Sequence, residues 1–387
     1  MADKKKIAFV ANCCIVGGVE TALINLLNVF DTDRYDVTLY TNFAGNPVVH
    51  SIPSNIRCID IDKYNIRTCF HSAIKGHKYL DAARIAKNYI MFKFFRNAYQ
   101  KSTLLYDHVN VSIEKYDCVL CFKQGILTLC IAEKLVDSNK KVLWIHGEMP
   151  CIDEKYLRML SSYDKYICVS RFVRTHFVDH CKNAGYKAIM MHNIVNSRSI
   201  YEKSNDSITK EIQEKKYIFA TVGRLGNGKG QDIIPDIAKL LSEKGIEFIW
   251  YIIGDGIERQ NIEREIKRTG TEENVILLGE KSNPYPYMKK CSIYVQTSLT
   301  EGWCLTTQEA RILHKPCVVT DIPVMHEQFT DGVNGIIANG TDANALFEGI
   351  MRLICSPELT KQIVAKLKAV PQDGVNEIQK LYDYIES

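Results

Sequence analysis

No apolar run in this 387-residue chain approaches the roughly 18–20 residues that a helix needs to cross a bilayer, which excludes a membrane-spanning helix as its organising element. Charge of one sign is lacking too. The 49 Lys and Arg against 45 Asp and Glu leave a formal net charge of +4, too small by itself to mark a nucleic-acid binder, although a small mean can hide a basic segment. No leader is expected, because Met1 to Lys6 runs directly into the strand-like stretch Ile7–Ala11. The fourteen cysteines are therefore expected in a reducing cytosol, as buried thiols and not as a disulfide framework. Metal-ligand spacing is missing as well. Cys118 and Cys121 have the form C-x-x-C, but Asp117–Phe122 reads as a strand, on which residues three apart face opposite ways. No carboxylate pair stands at metal spacing, so no metal is expected, and no other cofactor is expected either.

What is present is rhythm. A hydrophobic content of 46% over this length can fill more than one core, so two domains are expected. Short apolar runs rich in β-branched and aromatic residues alternate with helical stretches, as in Lys6–Asn12, a glycine turn, then Glu20–Phe30. That alternation predicts parallel strands joined by crossover helices. Further strands are expected at Asp36–Tyr40, Cys118–Phe122, Lys141–Ile145, Tyr166–Val169 and Ala188–Met191. The polar stretch Asn196–Lys216 shows no sustained periodicity, and its start reads as an inter-domain linker. A second series then runs through Tyr217–Val222, Phe248–Ile253, Val275–Leu278, Ile293–Gln296 and Cys317–Thr320. The expected domains are 1–195 and 196–371, with 372–387 as a helix returning to the first. Two doubly wound domains would bind ligands in a cleft at the carboxyl ends of their strands, so function is expected in the turns there.

Four turns stand out. Val222-Gly-Arg-Leu-Gly-Asn-Gly-Lys-Gly230 places Arg224 and Lys229 on a glycine-rich loop, where two cations can hold a diphosphate or simply face solvent. Gly254-Asp-Gly256 lacks the third glycine of a dinucleotide fingerprint and reads as a tight turn. Ser298–Ala310 carries Glu301 before a helix and Glu309 about one turn into it, while the amides of Trp303, Cys304, Leu305 and Thr306 open the helix and could accept a phosphate. Glu309 could equally stabilise the helix dipole. Gly17 and Gly18 permit close approach of a ligand, or only a sharp turn.

Taken in order, Gly17-Gly18-Val-Glu20, Gly223-Arg224 with Lys229-Gly230, Gly254-Asp-Gly256 and Glu301-Gly-Trp-Cys-Leu-Thr-Thr-Gln-Glu309 resemble the motif set of glycosyltransferase family 4, over nearly the whole chain. The resemblance implies a GT-B fold of two Rossmann-like domains. It also implies a retaining transfer of a hexose or N-acetylhexosamine from a nucleotide-diphosphate sugar, UDP-linked by expectation, to a glycan or lipid-linked acceptor in cell-surface polysaccharide synthesis. By that resemblance Glu301 holds the donor sugar, Glu309 the ribose hydroxyls, and Arg224 and Lys229 the diphosphate. Gly17 and Gly18 would approach the donor. His146, in Trp144-Ile-His-Gly147, matches a histidine near the donor sugar or is merely structural; Ser170 and Arg174 match an acceptor-side motif. Trp303 and Cys304 depart from the usual residues, and Cys304, at a helix start, could have a lowered pKa yet reads as a spectator thiol. The rival readings are a nucleotide-sugar epimerase and a non-catalytic sugar-nucleotide scaffold.

One segment lies outside these motifs. Residues 63–101 carry nine Lys and Arg against Asp81 alone, a net of +8, with Phe and Tyr interleaved, so the rest of the chain sums to −4. It suits either an anionic membrane surface, which would make the protein cytoplasmic and peripheral, or packing on the first domain.

Overall fold

The structure, a computed structural model, describes residues 4–12, 17–42, 47–94, 102, 114–149, 154–208, 212–371 and 374–387. It divides into two compact units, Met1–His192 with Asn376–Ser387, and Asn193–Val375.

In the first unit the strands of the main sheet are β1 (Lys5–Ala11), β2 (Tyr35–Thr41), β3 (Arg57–Asp60), β4 (Cys118–Cys121), β5 (Lys141–Ile145), β6 (Lys165–Cys168) and β7 (Ala188–Met190), beside a two-stranded pairing of Lys115–Tyr116 with Asp137–Ser138. The main sheet has the order β3-β2-β1-β4-β5-β6-β7, with every pairing parallel. Ile7–Ala11 and Cys118–Cys121 are buried throughout, because a central strand covered on both faces has no polar side to show. Helix α1 (Gly18–Val29) buries Ala22, Leu23, Leu26 and Leu27, a stripe at helical spacing. Strand β3 was not foreseen: Arg-Cys-Ile-Asp at a sheet edge carries no apolar run to read.

Two helices follow β3. Helix α2 (Ile66–Lys75) and helix α3 (Tyr79–Phe94) pack on each other as a hairpin around Ile66 and Ile85, with Cys69 and Phe70 against them. The basic segment's Phe95, Arg96, Tyr99 and Lys101 lie outside the described residues. Beyond β4 come α4 (Ile126–Leu135), α5 (Glu154–Ser161) and α6 (Arg171–His180).

The second unit opens with α7 (Ser197–Lys203), where the sequence read as a linker. Asn196 caps the helix by accepting from the Ser199 amide, and the Tyr201 hydroxyl donates to the Ile312 carbonyl at 2.5 Å. Seven residues with one buried side chain, Ile200, are too few to show a period. The sheet then comprises β8 (Tyr217–Val222), β9 (Phe248–Ile253), β10 (Val275–Gly279), β11 (Ile293–Gln296), β12 (Cys317–Val319) and β13 (Ile336–Ile337), in the order β10-β9-β8-β11-β12-β13, again all parallel. Helices α8 (Ile234–Glu243), α9 (Arg259–Thr269), α10 (Tyr285–Lys290), α11 (Leu305–Ile312), α12 (Ala343–Cys355) and α13 (Pro357–Ala369), with a single helical turn at Met325–Gln328, complete the unit. Phe219, Phe248 and Trp250 lie at its centre, against Ile237 and Leu241 of α8.

The last helix, α14 (Ile378–Glu386), belongs to the first unit. Tyr382 stacks on Tyr35 at 5.4 Å between ring centroids, and Glu386 pairs with Lys5 and Arg34. In both units the strand order reverses direction beside the first strand, between β1 and β4 and between β8 and β11. Ligands of open parallel sheets bind outside the carboxyl ends of the strands at such a reversal.

Candidate functional site

At the reversal in the second unit, two loops are stapled together. The Leu299 amide donates to the Gly228 carbonyl at 2.8 Å, and Thr297 Oγ1 donates to the Lys229 carbonyl at 2.7 Å. Gly230 makes this possible: its φ is +64°, and a Cβ there would stand 2.2 Å from the Thr297 carbonyl oxygen. The staple brings Lys229 Nζ to 2.5 Å from Glu301 Oε1, across 72 positions of sequence. The same oxygen accepts from Ser298 Oγ at 2.8 Å, and Ser298 in turn accepts from Gln296. Glu301 is thus held by one oxygen, while Oε2 has no partner among the described residues. Arg224 is exposed, and its guanidinium likewise meets no partner among them.

Helix α11 begins beside this pair. Cys304 is its N-cap and supplies no side-chain bond to the first amides, so the donors opening the helix are left for a ligand. Burial, with Glu301 nearby, pushes the Cys304 thiol up to about 11; the lowered pKa that a helix start could give is overridden, and the group stays a neutral thiol. Leu305 is buried, Thr306 Oγ1 donates to Gln296, and the Trp303 indole donates to Gln308 at 2.9 Å. Glu309, fifth residue of the helix and 4% exposed, accepts from the Tyr285 hydroxyl at 3.1 Å. Burial pushes its carboxyl up to about 7, which the Tyr285 hydrogen bond and Lys203 only moderate. A buried carboxyl beyond the first turn is poorly placed to serve the helix dipole, so the dipole role does not explain it. Gly254 is structural: a Cβ there would stand 2.0 Å from the Gly223 carbonyl oxygen, so the turn it makes lies directly under the Arg224 loop.

The first unit builds its reversal differently. Lys123, after β4, reaches across to Glu20 in the first turn of α1 at 2.7 Å and to the Asn12 carbonyl at 3.2 Å. Gly17 leaves room for that carboxylate, since a Cβ there would meet Glu20 Oε2 at 3.1 Å; at Gly18 a Cβ would meet nothing within 4 Å. His146 donates from Nε2 to the Phe122 carbonyl at 2.9 Å, and its own amide is held by Gln124 at 2.6 Å. Burial pushes the imidazole down to about 3. It is neutral at any working pH, which removes it from proton transfer and leaves Nδ1 as an acceptor. Ser170 and Arg174 have structural tasks: Ser170 caps α6 by accepting from the Val173 amide, and Arg174 Nε donates to the Ala188 carbonyl at 2.9 Å.

Residues 202–369 match the family described as "Glycosyl transferases group 1". An uncharacterized glycosyltransferase of Methanocaldococcus jannaschii is 26% identical over 363 residues, covering 90% of this chain and 88% of its own length. The UDP-Gal:alpha-D-GlcNAc-diphosphoundecaprenol alpha-1,3-galactosyltransferase of Escherichia coli is 21% identical, covering 98% and 97%. Among solved structures, Anabaena HepE in complex with UDP and glucose superposes with a TM-score of 0.71 at 19% identity, over 99% of this chain and all of HepE. The fold is GT-B. Homology of this extent supports an enzymatic, transferase activity. The matched region contains Arg224, Lys229, Glu301 and Glu309, while Gly17, Gly18, His146, Ser170 and Arg174 lie outside it.

Spacing singled out Arg224, Lys229, Glu301 and Glu309, and the structure gathers the middle two into contact. It missed Lys123, Ser298 and Tyr285. Lys123 could have been found from Lys-Gln-Gly125 directly after a buried strand, the same strand-to-turn signal that exposed the Arg224 loop. Tyr285 carried no such signal.

Proposed function

We propose that this chain is a retaining glycosyltransferase of family 4, moving a hexose or N-acetylhexosamine from a UDP-sugar to a glycan or lipid-linked acceptor in cell-surface polysaccharide assembly, at the cytoplasmic face of a membrane. The observation that carries this reading is the second unit's constellation. An Arg224 guanidinium and a second oxygen of the Lys229-paired Glu301, both without a partner among the described residues, and a helix start without a side-chain cap meet at one strand reversal. Two cations and a row of amides suit a diphosphate, and a carboxylate oxygen suits sugar hydroxyls. The UDP in the HepE complex and the UDP-Gal and diphosphoundecaprenol in the name of the E. coli relative support the donor and acceptor classes.

In this reading the bond from the anomeric carbon to the diphosphate oxygen breaks as the acceptor oxygen bonds to the same face. The acceptor proton passes to the departing phosphate oxygen. Arg224, Lys229 and the α11 amides neutralise the leaving charge, and no protein nucleophile is needed. Glu309 accepts the ribose hydroxyls, and the neutral His146 offers Nδ1 to a sugar hydroxyl.

The test is product analysis by mass spectrometry with UDP-hexoses and UDP-N-acetylhexosamines, using free and lipid-linked glycans. Proton NMR should find the donor's anomeric configuration kept, and activity should persist in EDTA. Inversion would overturn retention, strict dependence on Mg2+ or Mn2+ would overturn the assignment of charge, and conversion of the donor without an acceptor would indicate an epimerase.

A further inference from the structure

The hairpin of α2 and α3 leaves its turn uncovered. Ile74, Tyr79 and Leu80 are 43%, 64% and 90% exposed, while the hairpin's own cluster forms elsewhere, around Ile66 and Ile85. Single exposed apolar side chains are ordinary; three within seven positions at one helix-to-helix turn are not scattered. Their surroundings are mostly basic. Lys75, Lys78 and Lys87 are exposed and make no ion pair among the described residues, and Asp81 is the only acidic residue from 63 to 101, Asp60 and Asp62 lying beyond the far end of α2. The turn itself is well formed: the Gly76 amide donates to the Ser72 carbonyl and the Lys78 amide to the Ala73 carbonyl at 2.8 Å, while His77 Nδ1 and the Tyr79 hydroxyl meet at 2.9 Å.

We propose that residues 74–80 form a docking tip for an anionic lipid bilayer, with Tyr79 and Leu80 entering among the head groups and the lysines of the hairpin meeting lipid phosphates. This deepens the reading of a membrane-linked acceptor, though its geometry stands independently of the donor site. An apolar tip alone would favour any bilayer, and a basic patch alone any polyanion. Together they select a surface that offers hydrocarbon beneath negative charge. An acidic protein surface offers the second without the first.

The experiment uses the full chain with vesicles of phosphatidylcholine, alone or with about 30 mol % phosphatidylglycerol. The wild type should partition to the anionic vesicles at least about tenfold more strongly than to the neutral ones, and less so as salt rises. Leu80→Asp, and separately Lys75→Glu with Lys78→Glu, should each lose at least about tenfold in partitioning while thermal melting and UDP binding are unchanged. Tyr79→Trp gives a direct readout: its fluorescence should shift to the blue on adding anionic vesicles. Equal binding by the variants, equal binding to neutral vesicles, binding to neither, or no blue shift would overturn the proposal. A wild type that binds vesicles but not UDP would instead overturn the donor assignment and leave the tip standing.

Discussion

The two units share a strand order and share an ion pair at the point where that order reverses, yet they use the pair in opposite ways. In the second unit Lys229 and Glu301 meet while the other carboxylate oxygen and the Arg224 guanidinium have no partner among the described residues, and the following helix lacks a side-chain cap. In the first, the Glu20 side chain is 6% exposed, and Lys123 is spent on it and on the Asn12 carbonyl. The chain order of acid and base is also exchanged: lysine follows the first strand of the second unit, glutamate that of the first. One topological position therefore serves either to hold a sheet's two halves together or to present charge, and the hydrogen bonds left unmade decide which. Arg224→Ala and Lys229→Ala are the strongest test of this contrast. Each is expected to lower turnover on the order of 100- to 1,000-fold, as removing an oxyanion donor does, with a smaller change in donor KM. Steady-state kinetics with full turnover in either variant would break it.

Glu309 sharpens the contrast through pH. Its folded carboxyl titrates near 7 against an ordinary 4.5. Between those values the folded protein binds more protons than the unfolded one, so this group's contribution is fully present below 4.5 and is lost as pH rises through about 7. The size is about 3 kcal/mol at most. Glu309→Gln should flatten that slope in urea unfolding from pH 4.5 to 8, and should raise donor KM more than it lowers kcat. An unchanged slope would place the titration elsewhere.

How much of this was legible follows from the same physics. Strands such as Phe248–Ile253 were readable because burial on both faces makes them continuous apolar runs; Arg57–Asp60 and Ile336–Ile337 are short and lie at sheet edges, where little apolar sequence is required. Arg224 and Lys229 stood out because glycines crowd around them. That Lys229 touches Glu301, or Lys123 Glu20, was invisible, since 72 and 103 positions separate the partners and only the parallel crossover closes the gap. Ser170 was readable as a polar residue before a helix, but its capping bond competes directly with an acceptor role, and sequence cannot rank the two.

If the first unit's pair is there to hold, Lys123→Met should cost stability and spare the ligand. It leaves the Glu20 carboxylate buried without its cation. The expected loss is about 1–3 kcal/mol, less than for a fully buried pair because Lys123 is itself 35% exposed. UDP affinity should change less than about twofold. Calorimetric titration with UDP beside thermal melting checks both, and a tenfold loss of affinity with unchanged melting would show that this pair serves a ligand too.

The smallest expected effect concerns the helix that the first unit takes from the far end of the chain, a loan with no counterpart in the contiguous second unit. Glu386 anchors it: Lys5 meets one oxygen at 2.8 Å, while the Tyr35 hydroxyl at 2.7 Å and Arg34 at 3.0 Å meet the other. Those hydrogen bonds, Lys5 first and then Tyr35, hold its carboxyl down at about 2. A depressed acid stabilises the fold above its ordinary 4.5 and loses that contribution as pH falls toward 2. Exposed pairs contribute little, and Leu381, Tyr382 and Ile385 already bury the helix against the unit. Glu386→Gln should therefore leave the melting temperature within about 2 °C while amides of Ile378–Glu386 exchange faster, through local opening of the last turns. The difference between variant and wild type should shrink as pH falls below 4.5 and vanish near pH 2, where the wild-type carboxylate is protonated in the folded protein too. Exchange that is equally slow in both proteins at neutral pH would mean that the apolar face alone holds the helix.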